Sequence, residues 1–97
     1  MGKYSVNKQP HDVMLELANK FRKIRKSHNL SRPELSERSG VSESSIKRFE
    51  LTGKISLESL LRITHLVDRL HDFSTVFSSI ESNDDVEKLF SNKTKRK

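Results

Sequence analysis

Apolar residues recur along the chain at steps of three and four, with no stretch of strict alternation, so the pattern predicts helices and no strand. From about Asp12, the residues Met14, Leu17, Phe21 and Ile24 lay one apolar stripe on a first helix that ends near His28 or Asn29, with basic residues on its other faces. The polar residues before it close on Pro10 and are expected to form a flexible arm. Ser31-Arg32-Pro33-Glu34 then announces a second helix: the serine hydroxyl can accept from the amide of Glu34, the glutamate can reach back, and proline suits a first turn. This helix has to be short, because Gly40 supplies a chain reversal after Ser39, leaving Leu35 as its main core residue. Ser42 caps a third helix in which Ile46 and Phe49 face inward and Glu43, Ser44, Lys47 and Arg48 face outward.

Thr52-Gly53-Lys54 reads as a turn, and Ser56 caps a fourth helix with Leu57, Leu60, Leu61, Thr64 and Val67 along one face. Ile63, Leu66 and Leu70 make a second apolar row on that helix, which Phe73, Phe77 and Ile80 extend. A helix apolar on two sides needs two partners, and in so small a protein the second is assigned to another copy of the chain. The expectation is therefore a dimer whose interface holds Ile63, Leu66, Leu70, Phe73 and Phe77. From Glu81 to Asp85 the chain is acidic and polar, Val86, Leu89 and Phe90 form an isolated apolar patch, and Lys93 to Lys97 is basic; disorder is expected there without a partner. The organisation that follows is an arm over 1–10, a helical domain over 11–80 and a tail over 81–97. The fold class is all-α, a compact bundle of about five helices.

The 97 residues, 32% of them hydrophobic, suit one domain with a modest core and leave no room for a catalytic domain beside a substrate domain. Without cysteine there is neither a disulfide framework nor a thiolate zinc site, and a reducing compartment is expected. No apolar run approaches the ~20 residues of a membrane span, and the first ten residues lack the apolar core of a signal peptide, so a cytoplasmic protein without a membrane partner is expected. The net charge of +6 favours a polyanionic partner, and its placement sharpens this. Lys20, Arg22, Lys23, Arg25, Lys26, Arg32, Lys47, Arg48 and Lys54 gather where the short capped helices lie, while Glu81, Asp84, Asp85 and Glu87 come late. His11, His28, His65 and His71 show no metal-ligand spacing, no serine has a paired base and acid, and Thr52-Gly53-Lys54 lacks the glycines of a phosphate loop. No metal, no cofactor and no enzymatic activity are expected.

The stretch Leu30-Ser31-Arg32-Pro33-Glu34-Leu35-Ser36-Glu37-Arg38-Ser39-Gly40-Val41-Ser42-Glu43-Ser44-Ser45-Ile46-Lys47-Arg48-Phe49-Glu50 resembles the helix-turn-helix of the lambda-Cro/C1 repressor (XRE) family, and the likeness extends over residues 13–70. Each matching position has a mechanical role: small Ser36 where two helices touch, Gly40 at the turn, Val41 in the core, Ile46 and Phe49 locking the recognition helix. The resemblance implies a lambda-repressor-like domain that reads double-stranded DNA. Carried over, Arg32, Ser42, Ser45 and Lys54 would hold phosphates, and Glu43, Ser44, Lys47 and Arg48 would face bases, Arg48 foremost because a guanidinium can bond guanine O6 and N7 together. Members of the family often have glutamine where Glu43 stands; a carboxylate only accepts, for instance from cytosine N4. Arg25 and Glu50 stand where the family often has a buried ion pair that orients the recognition helix, the alternative being that each is solvated.

The ending is similar to antitoxins of the HipB class, which accompany HipA-type kinase toxins: Val67-Asp68-Arg69-Leu70-His71-Asp72-Phe73 leads to Phe77, an acidic stretch, Val86-Glu87-Lys88-Leu89-Phe90 and then basic residues. This implies a bacterial or phage-encoded homodimer that binds a palindromic operator, represses its own operon and neutralises a kinase toxin. Val86, Leu89 and Phe90 would be anchors for that toxin, or else belong to a dimer-packing or extra core helix. Two other readings remain open: a phage-type or metabolic repressor with no toxin partner, and a helical protein-interaction adaptor that has lost DNA binding, for which Glu43 is the cue.

Overall fold

In the computed structural model the described residues are 8–78. The expectations for the first seven residues, for Ile80 and for Val86, Leu89 and Phe90 fall outside them. Four α-helices follow one another, α1 (Pro10–Ser27), α2 (Arg32–Ser39), α3 (Glu43–Thr52) and α4 (Leu57–Leu66), and a 3-10 helix covers Leu70–Thr75. Among the described residues there is no strand, and the fold is the expected all-α helical domain. No helix among them is long and apolar enough to cross a membrane.

The helix boundaries follow from local chemistry. α1 starts at Pro10, two residues before the expected Asp12, because the Gln9 amide donates to the Asp12 carboxylate at 2.9 Å and Pro10 occupies the first helical position. Ser31 and Glu34 form the reciprocal capping box, with the Glu34 amide 3.2 Å from the serine hydroxyl and the Ser31 amide 2.9 Å from the carboxylate. The Ser31 amide and, at 3.1 Å, the Ser31 hydroxyl both donate to the Glu34 carboxylate and hold it below the usual carboxylate range. The Ser42 and Ser56 hydroxyls accept from the amides of Ser45 and Ser59, each at 3.1 Å. α1 ends on Asn29 in the left-handed region, φ 57°. Its amide donates to the Lys26 carbonyl at 2.9 Å and that of Leu30 to the Arg25 carbonyl at 3.3 Å, the Schellman arrangement with asparagine in the position glycine usually takes.

The core consists of Ala18, Phe21, Leu35, Val41, Ile46, Phe49, Ile63 and Val67, with Ile24, Leu30, Ile55, Leu60 and Leu66 packed around it. α1 lies mainly on α3, while α2 bridges α3 and α4. At the crossing of α1 and α3 the rings of Phe21 and Phe49 meet in a tilted pair, with centroids 5.9 Å apart and planes at 55°.

Three expectations are corrected. Leu17 stays 42% exposed, because α1 turns Ala18, Phe21 and Arg25 inward; an arginine, invisible to an apolar pattern, occupies the buried stripe. On α4 the buried positions are Ile63 and Thr64, joined by Val67 at its C-cap, and Leu57 stays 67% exposed. Ile63 is therefore a core residue of the single chain and is unavailable to a dimer interface. Finally, α4 stops at Leu66 and does not carry its second apolar row onward. Asp68 adopts φ 62°, its amide donates to the His65 carbonyl at 2.9 Å, and that of Arg69 donates to the Thr64 carbonyl at 3.0 Å. Past this second Schellman cap, Leu70 and Phe77 are exposed and Phe73 is half-buried, while Leu66 is half-buried on α4 itself.

Gly53 ends α3 at φ 80° directly against α1: a Cβ there would lie 2.8 Å from Met14 Cβ and 2.9 Å from its carbonyl carbon. Gly40 has the same φ, but a Cβ would meet only the flexible end of Arg62, at 3.4 Å. Gly40→Ala should therefore lose about 1 kcal/mol of stability to backbone strain in urea unfolding, and Gly53→Ala should lose at least about 2 kcal/mol because α1 must also shift. Equal losses would show that α1 does not press on this turn.

Candidate nucleic-acid interface

α3 presents two faces of opposite character. Ile46, Phe49 and Glu50 are buried, whereas Glu43, Ser44, Lys47 and Arg48 are exposed. At its start the Ser42 hydroxyl, besides capping, lies 2.8 Å from that of Ser45 and 3.3 Å from that of Ser44, so hydroxyls crowd the first turn beside the Glu43 carboxylate. Ser42 is exposed and Ser45 half-buried. At the other end Thr52 bonds back to the Arg48 carbonyl at 2.7 Å and accepts from the Lys54 amide at 3.2 Å, which fixes where the exposed Lys54 leaves the helix. Leu51, not singled out by the sequence reading, shares the outward row with Ser44, Lys47 and Arg48 and is 62% exposed. Its signal was the three- and four-residue spacing from those residues, and an apolar side chain there is suited to a thymine methyl group.

Beneath this face lies a buried charge cluster. Arg25 of α1 grips Glu50 of α3 through two bonds, Nε to Oε2 at 2.7 Å and Nη2 to Oε1 at 2.9 Å, and its Nη1 donates to the Leu30 carbonyl at 2.8 Å. Arg32, at the first position of α2, donates from Nε to Oε1 of the same carboxylate at 3.0 Å. The side chains of Glu50, Arg25 and Arg32 are 0%, 8% and 25% exposed. Arg32 thus differs from Ser42, Ser45 and Lys54, with which the sequence reading grouped it, in being tied to the buried carboxylate. Among the described residues no buried side-chain nitrogen or oxygen lacks a hydrogen bond. Burial pushes the Glu50 carboxyl up, but the hydrogen bonds and charges of Arg25 and Arg32 outweigh it and hold the group below the usual carboxylate range.

The remaining basic residues of α1, Lys20, Arg22, Lys23 and Lys26, are exposed. A groove of about 340 Å³ opens between α1, α4 and the 3-10 helix, lined by Leu17, Phe21, Leu60, Val67, Phe73 and Val76 among others. No residue of α3 lines it, so it is separate from the polar face. No group of three or more metal-ligating side chains occurs among the described residues.

Residues 21–68, from the middle of α1 to the cap of α4, match the family model described as Helix-turn-helix. Comparison with curated proteins and with solved structures finds no match.

Because Glu50 titrates lower when folded than when unfolded, its contribution to stability is complete above the unfolded carboxylate pKa, about 4.3, and is lost as pH falls through the lower folded value. Urea unfolding between neutral pH and strong acid should show wild type losing stability in that acid window. Glu50→Gln, less stable by on the order of 3 kcal/mol at pH 7, should close the gap as the pH drops. A gap independent of pH would contradict the charged assignment.

Proposed function

From a chain whose residues 21–68 form a helix-turn-helix domain, we propose a sequence-specific, DNA-binding transcription regulator that acts as a repressor and performs no catalysis. The observation that carries the reading is the division of α3: its inner face is locked by Ile46, Phe49 and Glu50, while its outer face exposes the polar and basic side chains of Glu43, Ser44, Lys47 and Arg48. A helix held in this way and exposed along one side suits the major groove, which is wide enough to admit it. In this reading Arg48 bonds guanine, Lys47, Ser44 and Glu43 contact neighbouring base edges, and Ser42, Ser45, Lys54 and Arg32 hold phosphates.

The protein acts in the cytoplasm as a homodimer on a palindromic operator, with Leu66, Leu70, Phe73 and Phe77 as the contact surface now that Ile63 belongs to the core. More narrowly, it is the antitoxin of a HipBA-like module that represses its own operon and neutralises a kinase toxin through Val86, Leu89 and Phe90. Support for this part is the likeness of the chain's ending to HipB-class antitoxins.

Titration of duplex DNA from the region upstream of the protein's own reading frame, beside a random duplex, tests the reading. Arg48→Ala should weaken the upstream duplex by about 1–3 kcal/mol, roughly 5- to 150-fold, and leave the random one nearly unchanged. Affinity for both should fall steeply with salt, by a log–log slope of about −0.9 for each phosphate neutralised. A flat salt response would refute DNA binding; equal losses on both duplexes would remove Arg48 from the reading set.

A further inference from the structure

We propose that the buried Glu50 carboxylate is a positioning residue for DNA binding: it aims Arg32 at a phosphate, so that a negative charge inside the domain strengthens the grip on a polyanion. The inference rests on the DNA-binding reading above and assigns Glu50 a task that reading did not include.

Arg25 alone already meets the carboxylate with two short bonds, one to each oxygen, and cancels its charge. Arg32 is a second guanidinium on a site that is already neutral, and it leaves the junction with one net positive charge. Holding a long side chain half-buried restricts its rotamers and removes part of its hydration, so a third member is a poor means of gaining stability. What the contact does achieve is geometric. The planar fork of Arg32 is pinned through Nε at 3.0 Å, while a quarter of the side chain remains open to solvent. A guanidinium can bond one acceptor through Nε and a second through its terminal nitrogens. Arg32 is thereby preorganised: its ordering cost is met in the free protein, and a phosphate arriving from solvent finds the fork in place. Since Glu50 lies on α3 and Arg32 on α2, the same contact fixes the distance between a phosphate held by α2 and the base-facing side of α3.

This account and a charge-only account give opposite signs. By charge alone, Arg32→Lys should bind as wild type does, and Glu50→Gln, which removes a negative charge, should bind DNA more tightly. If Arg32 is positioned, lysine cannot serve, because a single ammonium on a flexible stem cannot hold carboxylate and phosphate in the fork's fixed geometry. The experiment titrates the full chain with a random duplex over a salt series, with circular dichroism confirming that each variant is folded. Arg32→Ala should weaken binding by about tenfold and reduce the salt slope by about 0.9, and Arg32→Lys should lose at least half as much on a logarithmic scale. Glu50→Gln should bind roughly threefold or more weakly than wild type, and adding Arg32→Ala to it should cost about threefold or less, in place of the tenfold it costs in wild type. Arg32→Lys within about twofold of wild type, or Glu50→Gln binding more tightly, would overturn the proposal while leaving the DNA-binding reading intact. A wild-type chain that binds no duplex would overturn both. If Glu50→Gln proves unfolded, the comparison of Arg32→Lys with Arg32→Ala decides alone.

Discussion

A carboxylate with no exposure to water stands where three helices meet, and much of the domain's geometry follows from the need to satisfy it. Left alone, such a charge would cost several kcal/mol; paired and hydrogen-bonded it becomes tolerable, but only along fixed directions. Apolar contacts such as that of Phe21 with Phe49 hold α1 on α3, yet they tolerate small rotations and slides. The two bonds from Arg25 do not, and with them the roll of α3 about its axis is set. Once Glu50 faces inward beside Ile46 and Phe49, helical spacing leaves Ser44, Lys47, Arg48 and Leu51 no direction but outward. The polar face is thus a consequence of the buried pair, not an independent feature.

Much of this was legible in the sequence because the signals were local. Ser31 with Glu34, Ser42, Ser56 and Gly40 each act within four residues, and each marks a boundary found in the structure. Leu35, Ile46 and Phe49 were identified as core for the same reason, and Val41 through the family resemblance. What was missed needs information the chain does not carry locally. The buried face of α4 is decided by its neighbours: leucines and isoleucines occur all around that helix, and only packing chose Ile63 over Leu57. Its end at Asp68 was hidden because an aspartate there, not a glycine, takes the left-handed cap. The pairing of Arg25 with Glu50 was an expectation of the family resemblance, but the further contact of Arg32 with that carboxylate, 18 positions away, is announced by no periodicity.

The domain separates its tasks spatially. One side of α3 is committed to the core and the ion cluster, and the other is exposed. The apolar groove formed by α1, α4 and the 3-10 helix lies away from that exposed face, so contacts made there need not compete with DNA. A domain with eight buried apolar side chains among its described residues has little capacity to reorganise on binding, and the polar face of α3 is accordingly carried on elements fixed before a ligand arrives.

The central claim is that the outer side of α3 and the start of α2 form the surface that meets duplex DNA. Amide chemical-shift mapping of the isotope-labelled chain titrated with duplex tests it residue by residue. The account predicts the largest changes from Ser42 to Arg48 and at Arg32 and Lys54, with the groove residues Leu17, Phe73 and Val76 quiet. Changes concentrated at the groove, with α3 unmoved, would contradict it.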